Sequence, residues 1–285
     1  MTGPQASLLS GGRLHLSHGP IDLVIGADGA REAAFAAATA RFATILEELV
    51  AELPLLRQAN GPRPKGPTAR RMFAAVAPWR TEVFVTPMAA VAGAVAEEIL
   101  AAMVAAATLA RAYVNNGGDI ALHLGPGQSY RLAIASPIGR PMGKVEITAE
   151  SGVRGVATSG RGGRSHSLGI AEAVTVLAPT ATMADAAATL IANAVDLPGH
   201  PAIARTPACT LLPDSDLGHR PVVTGLGPLT TRETARALDT GAAAARDAIT
   251  RGRATAAALF LDGQSRLAGD PTMLNALHQE APAHA

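Results

Sequence analysis

The chain has 285 residues, 48% of them hydrophobic and 16% charged, with a formal net charge of +1 at pH 7. This length fits one domain or two closely packed lobes, and the nearly neutral charge argues against a nucleic-acid partner, which would need a strongly basic face. Two tyrosines, one tryptophan and five phenylalanines are too few to build stacking platforms for single-stranded nucleic acid.

The cysteine content and the apolar segments predict a cytoplasmic protein. Cys209 is the single cysteine and cannot form an internal disulfide, and residues 1–12 lack a signal-peptide pattern. Residues 87–110 are the most apolar stretch, but Glu97 and Glu98 interrupt it and alanine dominates it. A buried helix is therefore expected there rather than a membrane span.

In chain order, the first half predicts a hairpin, a long helix, a loop, a short helix and an apolar helix. Alternation indicates the hairpin strands, helical spacing indicates the long helix, and Pro54 should end or bend it. The last helix is apolar on nearly every side, which predicts a central, covered position. These elements comprise residues 13–17 and 21–25, 31–56, 60–67, a segment around Arg70, and 87–113.

From Val114 the hydrophobic period changes to two, and short strands divided by Gly and Pro turns are typical of an antiparallel sheet. The predicted fold class is α/β (α+β), a mostly antiparallel sheet with packed helices that include a buried alanine-rich one. We expect a single domain over residues 1–264, or two intimate lobes, and a loose polar tail at 265–285. Strands are predicted at 119–124, 130–135, 144–148, 153–158, 173–177 and 256–261, and helices at 182–194 and 231–250.

The first group of residues with chemical potential is the Gly-Gly-Asp turn. Gly117 and Gly118 would let backbone N–H groups approach a ligand, and Asn115, Asn116 and Asp119 crowd the same turn. Asn-Gly is also a strong hairpin signal. A ligand-binding loop and a tight hairpin therefore both remain open.

The second group is a Ser-Gly-Arg loop within residues 157–167. Glycine amides, arginines that fork onto phosphate or carboxylate, and hydroxyl groups favour an anion cradle over a solvated turn. Ser165 and His166 are not expected to form a nucleophile and base, because adjacent residues of a strand point to opposite faces. The members of the group are Thr158, Ser159, Gly160, Arg161, Arg164, Ser165 and His166.

The third group is Asp185 and Thr189, four residues apart on a predicted helix. The spacing puts a carboxylate and a hydroxyl group on one face, and Mg²⁺ prefers such oxygen ligands. Asp185 also follows Thr182 by three residues, where an acid simply caps the helix. The spacing alone favours a helix-capping role for Asp185 over a metal-binding role.

The three groups occur in an order that resembles the ApbE-like flavin transferase superfamily. The likeness rests on Val-Asn-Asn-Gly-Gly-Asp-Ile-Ala at 114–121, Ala-Thr-Ser-Gly at 157–160, and Ala-Asp-Ala-Ala-Ala-Thr at 184–189. Over about residues 13–262 the chain resembles, more closely, an uncharacterised protein family within that superfamily. Its marks are Gly-Pro-Ile-Asp-Leu-Val-Ile-Gly at 19–26, Thr-Pro-Met-Ala-Ala-Val-Ala-Gly at 86–93 and Gly-Arg-Gly-Gly-Arg-Ser-His-Ser-Leu-Gly at 160–169.

The resemblance implies an ApbE-like fold and a set of site residues. In the transferases, the Asp and Thr of Ala-Asp-x-x-x-Thr help to hold Mg²⁺, and FMN passes from FAD to a threonine or serine of an acceptor protein. Carried over, Asp185 and Thr189 are metal ligands, and the residues that line the nucleotide pocket are Asn116, Gly117, Gly118, Asp119, Thr158, Ser159, Gly160 and His166. From the loops themselves, Asp119, Arg164 and His166 are the catalytic candidates, and Arg161 and Arg164 are expected to clamp a phosphate or carboxylate group. Asn115 and Ser165 complete the candidate ligand-binding residues.

Two departures from the transferase pattern shape the expected function. Residues 90–94 replace a lysine-bearing segment and have no cation, and residues 166–169 replace His-x-x-Asp-Pro. We therefore expect an ApbE-like enzyme that binds an anionic or phosphorylated small molecule, with Mg²⁺, for group transfer or hydrolysis. The alternatives are FAD-dependent protein flavin transfer and non-catalytic flavin or small-molecule binding.

Two further expectations concern partners and geometry. The alanine-rich apolar helix leaves room for a homodimer. Asp119, Arg161 and Asp185 are expected to converge on one cavity that accepts negative charge.

Overall fold

Runs of strands and runs of helices follow one another in the computed structural model, which describes residues 3–135, 141–163 and 165–270. The result is a mixed α/β protein with a large antiparallel sheet, as the sequence predicts. Two units emerge from the backbone contacts, and each is described by itself. The first unit comprises Met1–Ser129, Thr148–Ala157 and Ala178–Ala186, and the second comprises Tyr130–Ile147, Thr158–Leu177 and Ala187–Ala285.

The first unit is built on antiparallel strands that follow one another in chain order. Each strand pairs with the next from β1 to β5, and Gly155 and Val156 of β8 then pair with β5. The β2–β3 hairpin confirms the alternating pattern predicted at 13–25. The strands are β1 (Gln5–Leu9), β2 (Arg13–His18), β3 (Ile21–Gly29), β4 (Leu109–Asn116), β5 (Asp119–Leu124) and β8 (Gly155–Ser159).

Three helices accompany these strands: α1 (Arg31–Leu56), α2 (Pro67–Val76) and α3 (Val91–Ala106). Helix α1 has the predicted bounds, and Pro54 lies in its last turn, close to where it ends. Helix α3 packs against α1, β4 and β5, and its buried side chains include Val95, Ile99 and Met103. Alanine and glycine on α3 allow this close packing of backbones.

One predicted element is wrong at its C-terminal end. The helix expected over residues 87–113 begins with a 3₁₀ turn at Pro87–Ala90 and ends at Ala106, and residues 109–113 belong to strand β4. Antiparallel pairing with β3 determines this, because Leu109 lies opposite Gly29 and Tyr113 opposite Gly26. Long-range pairing overrides the helical preference of Ala110 and Ala112.

The segment Pro87–Ala106 is long and apolar enough to cross a membrane by length and composition alone, with a hydropathy of 1.8. Within the structure, 44% of the tested stretch is buried. Seven residues of α3 are buried, as expected for a helix in the core of a protein.

The second unit contains two small antiparallel pairs and a three-stranded sheet. Strand β6 (Ser129–Ala135) pairs with β7 (Pro141–Thr148), and β10 (Ile203–Pro207) pairs with β11 (Pro221–Leu226). The pair β10–β11 frames the short helix α5 (Ala208–Leu211). The remaining elements are β9 (Ala173–Ala178), α4 (Ala181–Ala194), α6 (Thr231–Thr250), β12 (Ala256–Leu261) and β13 (Gln264–Gly269), in which β12 pairs with both β9 and β13. Residues Ala181–Ala186 of α4 lie in the first unit.

The predicted loose tail at 265–285 is corrected in its first part. Gln264–Gly269 form strand β13, which pairs along its length with β12. Asp262 and Gly263 both adopt positive φ, at 48° and 71°, as a two-residue hairpin turn requires. The Asp-Gly pair was therefore a sequence signal for this strand, and residues 271–285 lie outside the described part of the chain.

Candidate functional site

The Gly-Gly-Asp turn joins β4 to β5 in the first unit. Gly117 and Gly118 adopt φ of 64° and 112°, values that side-chain-bearing residues rarely take. The side-chain oxygen of Asn115 accepts a hydrogen bond of 2.8 Å from the N–H of Gly118. The turn is thus a hairpin, and a Cβ added at Gly118 would meet no described atom within 4 Å.

Asn116 connects this turn to the start of α3. Its side chain is 4% exposed, and its amide group donates a hydrogen bond of 3.1 Å to the carbonyl oxygen of Ala92. The asparagine therefore has a structural contact that holds the turn next to the backbone of residues 92–93.

Asp185 comes to the same place from helix α4. Its carboxylate accepts a hydrogen bond of 2.9 Å from the N–H of Gly93, across 92 positions of sequence. Part of the side chain stays exposed to solvent, although protein atoms crowd the carboxyl group. This combination is typical of a group that lines a cleft.

The surroundings of Asp185 disfavour its negative charge. Desolvation and, second, repulsion from the carboxylate of Asp119 raise its pKa well above 3.8, while hydrogen bonds from the N–H groups of Gly93 and Ala92 lower it. Within residues 3–135, 141–163 and 165–270, no Lys, Arg or His forms an ion pair with Asp185. The hydrogen bonds from backbone N–H groups are the compensating contacts of Asp185, and Asp119 lies near enough for its charge to act on that carboxylate.

Two glycines let the start of α4 approach its neighbours closely. A Cβ added at Gly93 would lie 2.3 Å from the carbonyl oxygen of Ala181 and 2.9 Å from Cβ of Asp185. A Cβ added at Gly155 would lie 2.2 Å from the carbonyl oxygen of Thr180. Both distances are far below van der Waals contact, so these positions depend on glycine.

Asp185 does not cap α4, which corrects the interpretation that its spacing favours. The hydroxyl of Thr180 accepts a hydrogen bond of 3.2 Å from the N–H of Met183. The carboxylate of Glu97 accepts bonds of 3.2 Å and 2.6 Å from the N–H and hydroxyl groups of Thr182. The helix start is therefore satisfied by other groups, and the carboxylate of Asp185 points elsewhere.

Glu97 also belongs to a second acidic pair, formed with Glu98 on α3. Arg71 donates hydrogen bonds to both carboxylates, and Arg41 donates one of 3.0 Å to Glu98. Arg41 also pairs with Glu48, and this contact lowers the pKa of Glu48. These acids carry their own counter-charges.

The Ser-Gly-Arg loop lies in the second unit and is mostly exposed. The N–H of Arg161 donates 2.9 Å to the carbonyl oxygen of Ala171, and the N–H of Gly163 donates 3.0 Å to that of Gly160. Two amides of the predicted anion cradle are therefore already engaged. The hydroxyl groups of Thr158 and Thr175 are 2.9 Å apart.

The other residues predicted for this loop are placed as follows. Ser159 is partly exposed, Ser165 and His166 are exposed, and Arg164 lies outside the described residues. Gly160 has a φ of 152°, and a Cβ added to it would lie 2.5 Å from the carbonyl oxygen of Glu172. The glycine is thus required by the path of the chain.

The structure brings Asp119 and Asp185 together, and the remaining predicted roles stay predictions. Thr189 follows Asp185 by one turn of α4, in the part of the helix that belongs to the second unit. Arg161 also belongs to the second unit, so the expected three-way convergence stays a prediction. Among the described residues, no group of three or more His, Cys, Asp or Glu side chains could hold a metal ion.

Helix α3 contributes two contacts to the surroundings of Asp185. The N–H of Gly93 binds Asp185, and the carboxylate of Glu97 caps the helix that carries it. A lone glycine inside an alanine-rich helix predicts the close approach of a neighbouring backbone, and the structure confirms that contact at Gly93. The contact of Gly93 with Asp185, 92 positions away, could not be predicted from the sequence pattern.

A protein-family model described as AbpE bacteria matches residues 6–267 of the chain. A UPF0280 protein of Methanopyrus kandleri is 45% identical over 111 residues, which cover 38% of this chain and 43% of that protein. A UPF0280 protein of Methanocaldococcus jannaschii is 41% identical over 121 residues, covering 39% and 45% respectively. The chain thus spans less than half the length of these curated relatives.

Two solved structures are similar over nearly the whole chain at low identity. The flavinyl transferase ApbE of Pseudomonas stutzeri, in its apo form, has a TM-score of 0.43 and 12% identity, covering 98% of this chain and 97% of its own. The ApbE protein of Thermotoga maritima has a TM-score of 0.47 and 11% identity, covering 96% and 100%.

Proposed function

Because the chain belongs to the AbpE bacteria family, we propose that it is an ApbE-like enzyme that binds an anionic or phosphorylated small molecule together with Mg²⁺. The proposed reaction is group transfer or hydrolysis. Family membership supports the ApbE-like assignment, and the residues of the first unit support the metal and the class of ligand.

The observation that carries the proposal is the environment of the Asp185 carboxylate. It accepts a hydrogen bond from the N–H of Gly93, and burial and the nearby charge of Asp119 raise its pKa. A buried carboxylate that has no Lys, Arg or His ion pair of its own among the described residues is costly for a protein unless a cation or a proton neutralises it. Strongly perturbed carboxyl groups of this kind concentrate at functional sites.

Mg²⁺ fits this donor set in preference to a metal that needs several nitrogen or sulfur ligands. Proteins usually bind Mg²⁺ through one or two carboxylates, and water and substrate phosphates complete its coordination. Asp185 and Asp119 would supply the carboxylates, and helical spacing makes Thr189 a third candidate ligand. A bound Mg²⁺ would neutralise negative charge on a phosphorylated ligand.

The Gly-Gly-Asp turn has a separate role in this proposal. Gly118 faces space free of described atoms within 4 Å, which would let a ligand come close to the backbone. Asn115 and Asn116 keep the turn in shape through their hydrogen bonds to Gly118 and Ala92. The turn would therefore form part of the wall of the ligand site, and Asp119 would orient the metal.

Calorimetric titration of the metal-free protein with Mg²⁺ tests the metal site. We expect the wild type to bind, and Asp185→Asn to bind on the order of 100-fold more weakly, because a neutral amide replaces an anionic oxygen ligand of the cation. Asp214→Asn is the matched control, since Asp214 is an exposed acid of the second unit. Equal affinity in the wild type and Asp185→Asn would rule out Asp185 as a ligand.

A second experiment separates the reaction types. The protein is incubated with FAD, Mg²⁺ and a polypeptide rich in threonine and serine, and both the polypeptide and the nucleotide are examined by mass spectrometry. A gain of FMN on the polypeptide indicates flavin transfer, and cleavage of the nucleotide alone indicates hydrolysis. FAD binding without turnover, observed as a Mg²⁺-dependent rise in Tm, contradicts the enzymatic proposal for this ligand and favours a binding protein.

A further inference from the structure

Glu97 lies one helical turn after Gly93 on α3, and both residues bind the first turns of α4. The N–H of Gly93 donates to the carboxylate of Asp185 at 2.9 Å. The carboxylate of Glu97 accepts from the N–H and hydroxyl groups of Thr182 at 3.2 Å and 2.6 Å. Two successive turns of α3 therefore contact α4, one at Thr182 and the other at the Asp185 carboxylate.

The backbone around this contact has little freedom to move. Gly93 and Gly155 bring the carbonyl groups of Ala181 and Thr180 so close that even a methyl group would clash, at 2.3 Å and 2.2 Å. Thr182 is 3% exposed, so its hydroxyl group needs a protein partner, and Glu97 provides it. The helix start is thus held between α3 and β8 within the first unit.

The carboxylate of Glu97 is itself fixed in orientation. One of its oxygens accepts from Arg71, and the other accepts from Thr182. Arg71 in turn donates to Glu98 at 2.9 Å, and Arg41 donates to Glu98 at 3.0 Å. A charged acceptor held by arginines makes a stronger bond to a helix N-terminus than a neutral one does.

We propose that Glu97 is a positioning residue for Asp185: by fixing the first turn of α4, it keeps the Asp185 carboxylate at the N–H of Gly93 and directed at the cation. The inference rests on the proposed metal site. Glu97 touches neither the metal nor its ligands; it acts through Thr182. Groups that orient a metal ligand in this way commonly change metal affinity by about 10- to 100-fold when they are lost.

The test compares Glu97→Ala, Glu97→Gln and Glu98→Ala in calorimetric titrations with Mg²⁺ alone. Glu97→Ala should weaken binding by about 10- to 100-fold. Glu97→Gln should recover most of the affinity, because the amide oxygen can still accept from Thr182. Glu98→Ala is the matched control, since Glu98 shares Arg71 with Glu97 but does not contact α4, and it should weaken Mg²⁺ binding much less than Glu97→Ala does. Equal weakening by the two alanine variants would contradict the proposal.

A readout without metal separates this inference from the proposed function. In the metal-free proteins, amide hydrogen exchange at Gly93 reports whether its bond to Asp185 is intact. Glu97→Ala should accelerate exchange at Gly93 more than Glu98→Ala does, and unchanged exchange would overturn the positioning role.

If the wild type does not bind Mg²⁺, the proposed metal site fails, and the exchange data still decide whether Glu97 positions Asp185. If Glu97→Ala does not fold, Thr182→Val replaces it in both experiments, with the same expected losses.

Discussion

The two acidic pairs of the first unit differ in what faces their carboxylates. Glu97 and Glu98 face Arg41, Arg71 and the N-terminal turn of α4. Asp185 faces another carboxylate, that of Asp119, and the N–H groups of two backbone residues. The pairs share a unit and even a neighbouring helix, so composition alone does not separate them.

The Glu97 and Glu98 carboxylates have arginine partners and form an ion network that is satisfied within the protein. The pKa of Asp185 is raised by burial and by the charge of Asp119, which favours a proton or a cation at this carboxylate. Three substitutions test this contrast.

The largest effect is expected for Arg71→Met, which removes the shared counter-charge of Glu97 and Glu98. We expect the free energy of unfolding, measured with urea, to fall by about 2 kcal/mol, less than for a fully buried pair because Arg71 is 34% exposed. Arg266→Met is the control: Arg266 is also 34% exposed, but its partner Asp239 is 63% exposed. That variant should lose less than about 1 kcal/mol, and equal losses would show that the network around α3 has no special role.

A rise in the free energy of unfolding, rather than a fall, is expected for Asp185→Asn in metal-free protein at neutral pH. The substitution removes the cost of ionising a buried carboxylate and its repulsion from Asp119, and the new amide oxygen can still accept from the N–H of Gly93, so the free energy of unfolding should rise. Because the folded-state pKa of Asp185 is raised above 3.8, the stability of the wild type should decline as the pH rises from 3.8 through the folded pKa. Urea unfolding at several pH values checks this, and a variant that is less stable than wild type at every pH would contradict it.

The smallest effect is expected for Thr230→Ala, which removes a hydrogen-bond partner of Glu233, a partly exposed acid whose charge is compensated by neighbouring groups. Thr230 and Glu233 form a capping box at the start of α6, and these contacts and His200 lower the pKa of Glu233 to about 2. The variant should lose about 1 kcal/mol at neutral pH. The contribution of Glu233 should be fully present above pH 4.5 and lost as the pH falls through about 2. Thr240→Ala, whose hydroxyl bonds only to a carbonyl within the same helix, is the control and should change stability little.

Elements with local signals could be predicted from the sequence. The hydrophobic period gave the bounds of α1, and alternation gave the β2–β3 hairpin. The change from helix to strand near Leu109 was missed, because alanine favours a helix locally and pairing with β3 decides the outcome. The strand after Asp262 and Gly263 was missed although its turn signal is present in the sequence.

The candidate site was predicted only in part, and for a physical reason. Spacing alone made Asp185 a helix cap, whereas family resemblance made it a metal ligand, and the structure shows a carboxylate bound to Gly93 rather than to its own helix. Contacts between residues this far apart in sequence cannot be derived from periodicity. The positioning contact of Glu97 with Thr182, 85 positions away, is hidden for the same reason.

We propose that the Asp119 and Asp185 carboxylates hold a divalent cation, and anomalous diffraction from crystals soaked in Mn²⁺ would locate such a cation. Mn²⁺ replaces Mg²⁺ at oxygen sites and gives a signal that identifies its position. We expect a peak within about 2.5 Å of a carboxylate oxygen of Asp185, on the side of Asp119. A peak bound elsewhere, with both carboxylates of this pair left to water, would contradict it.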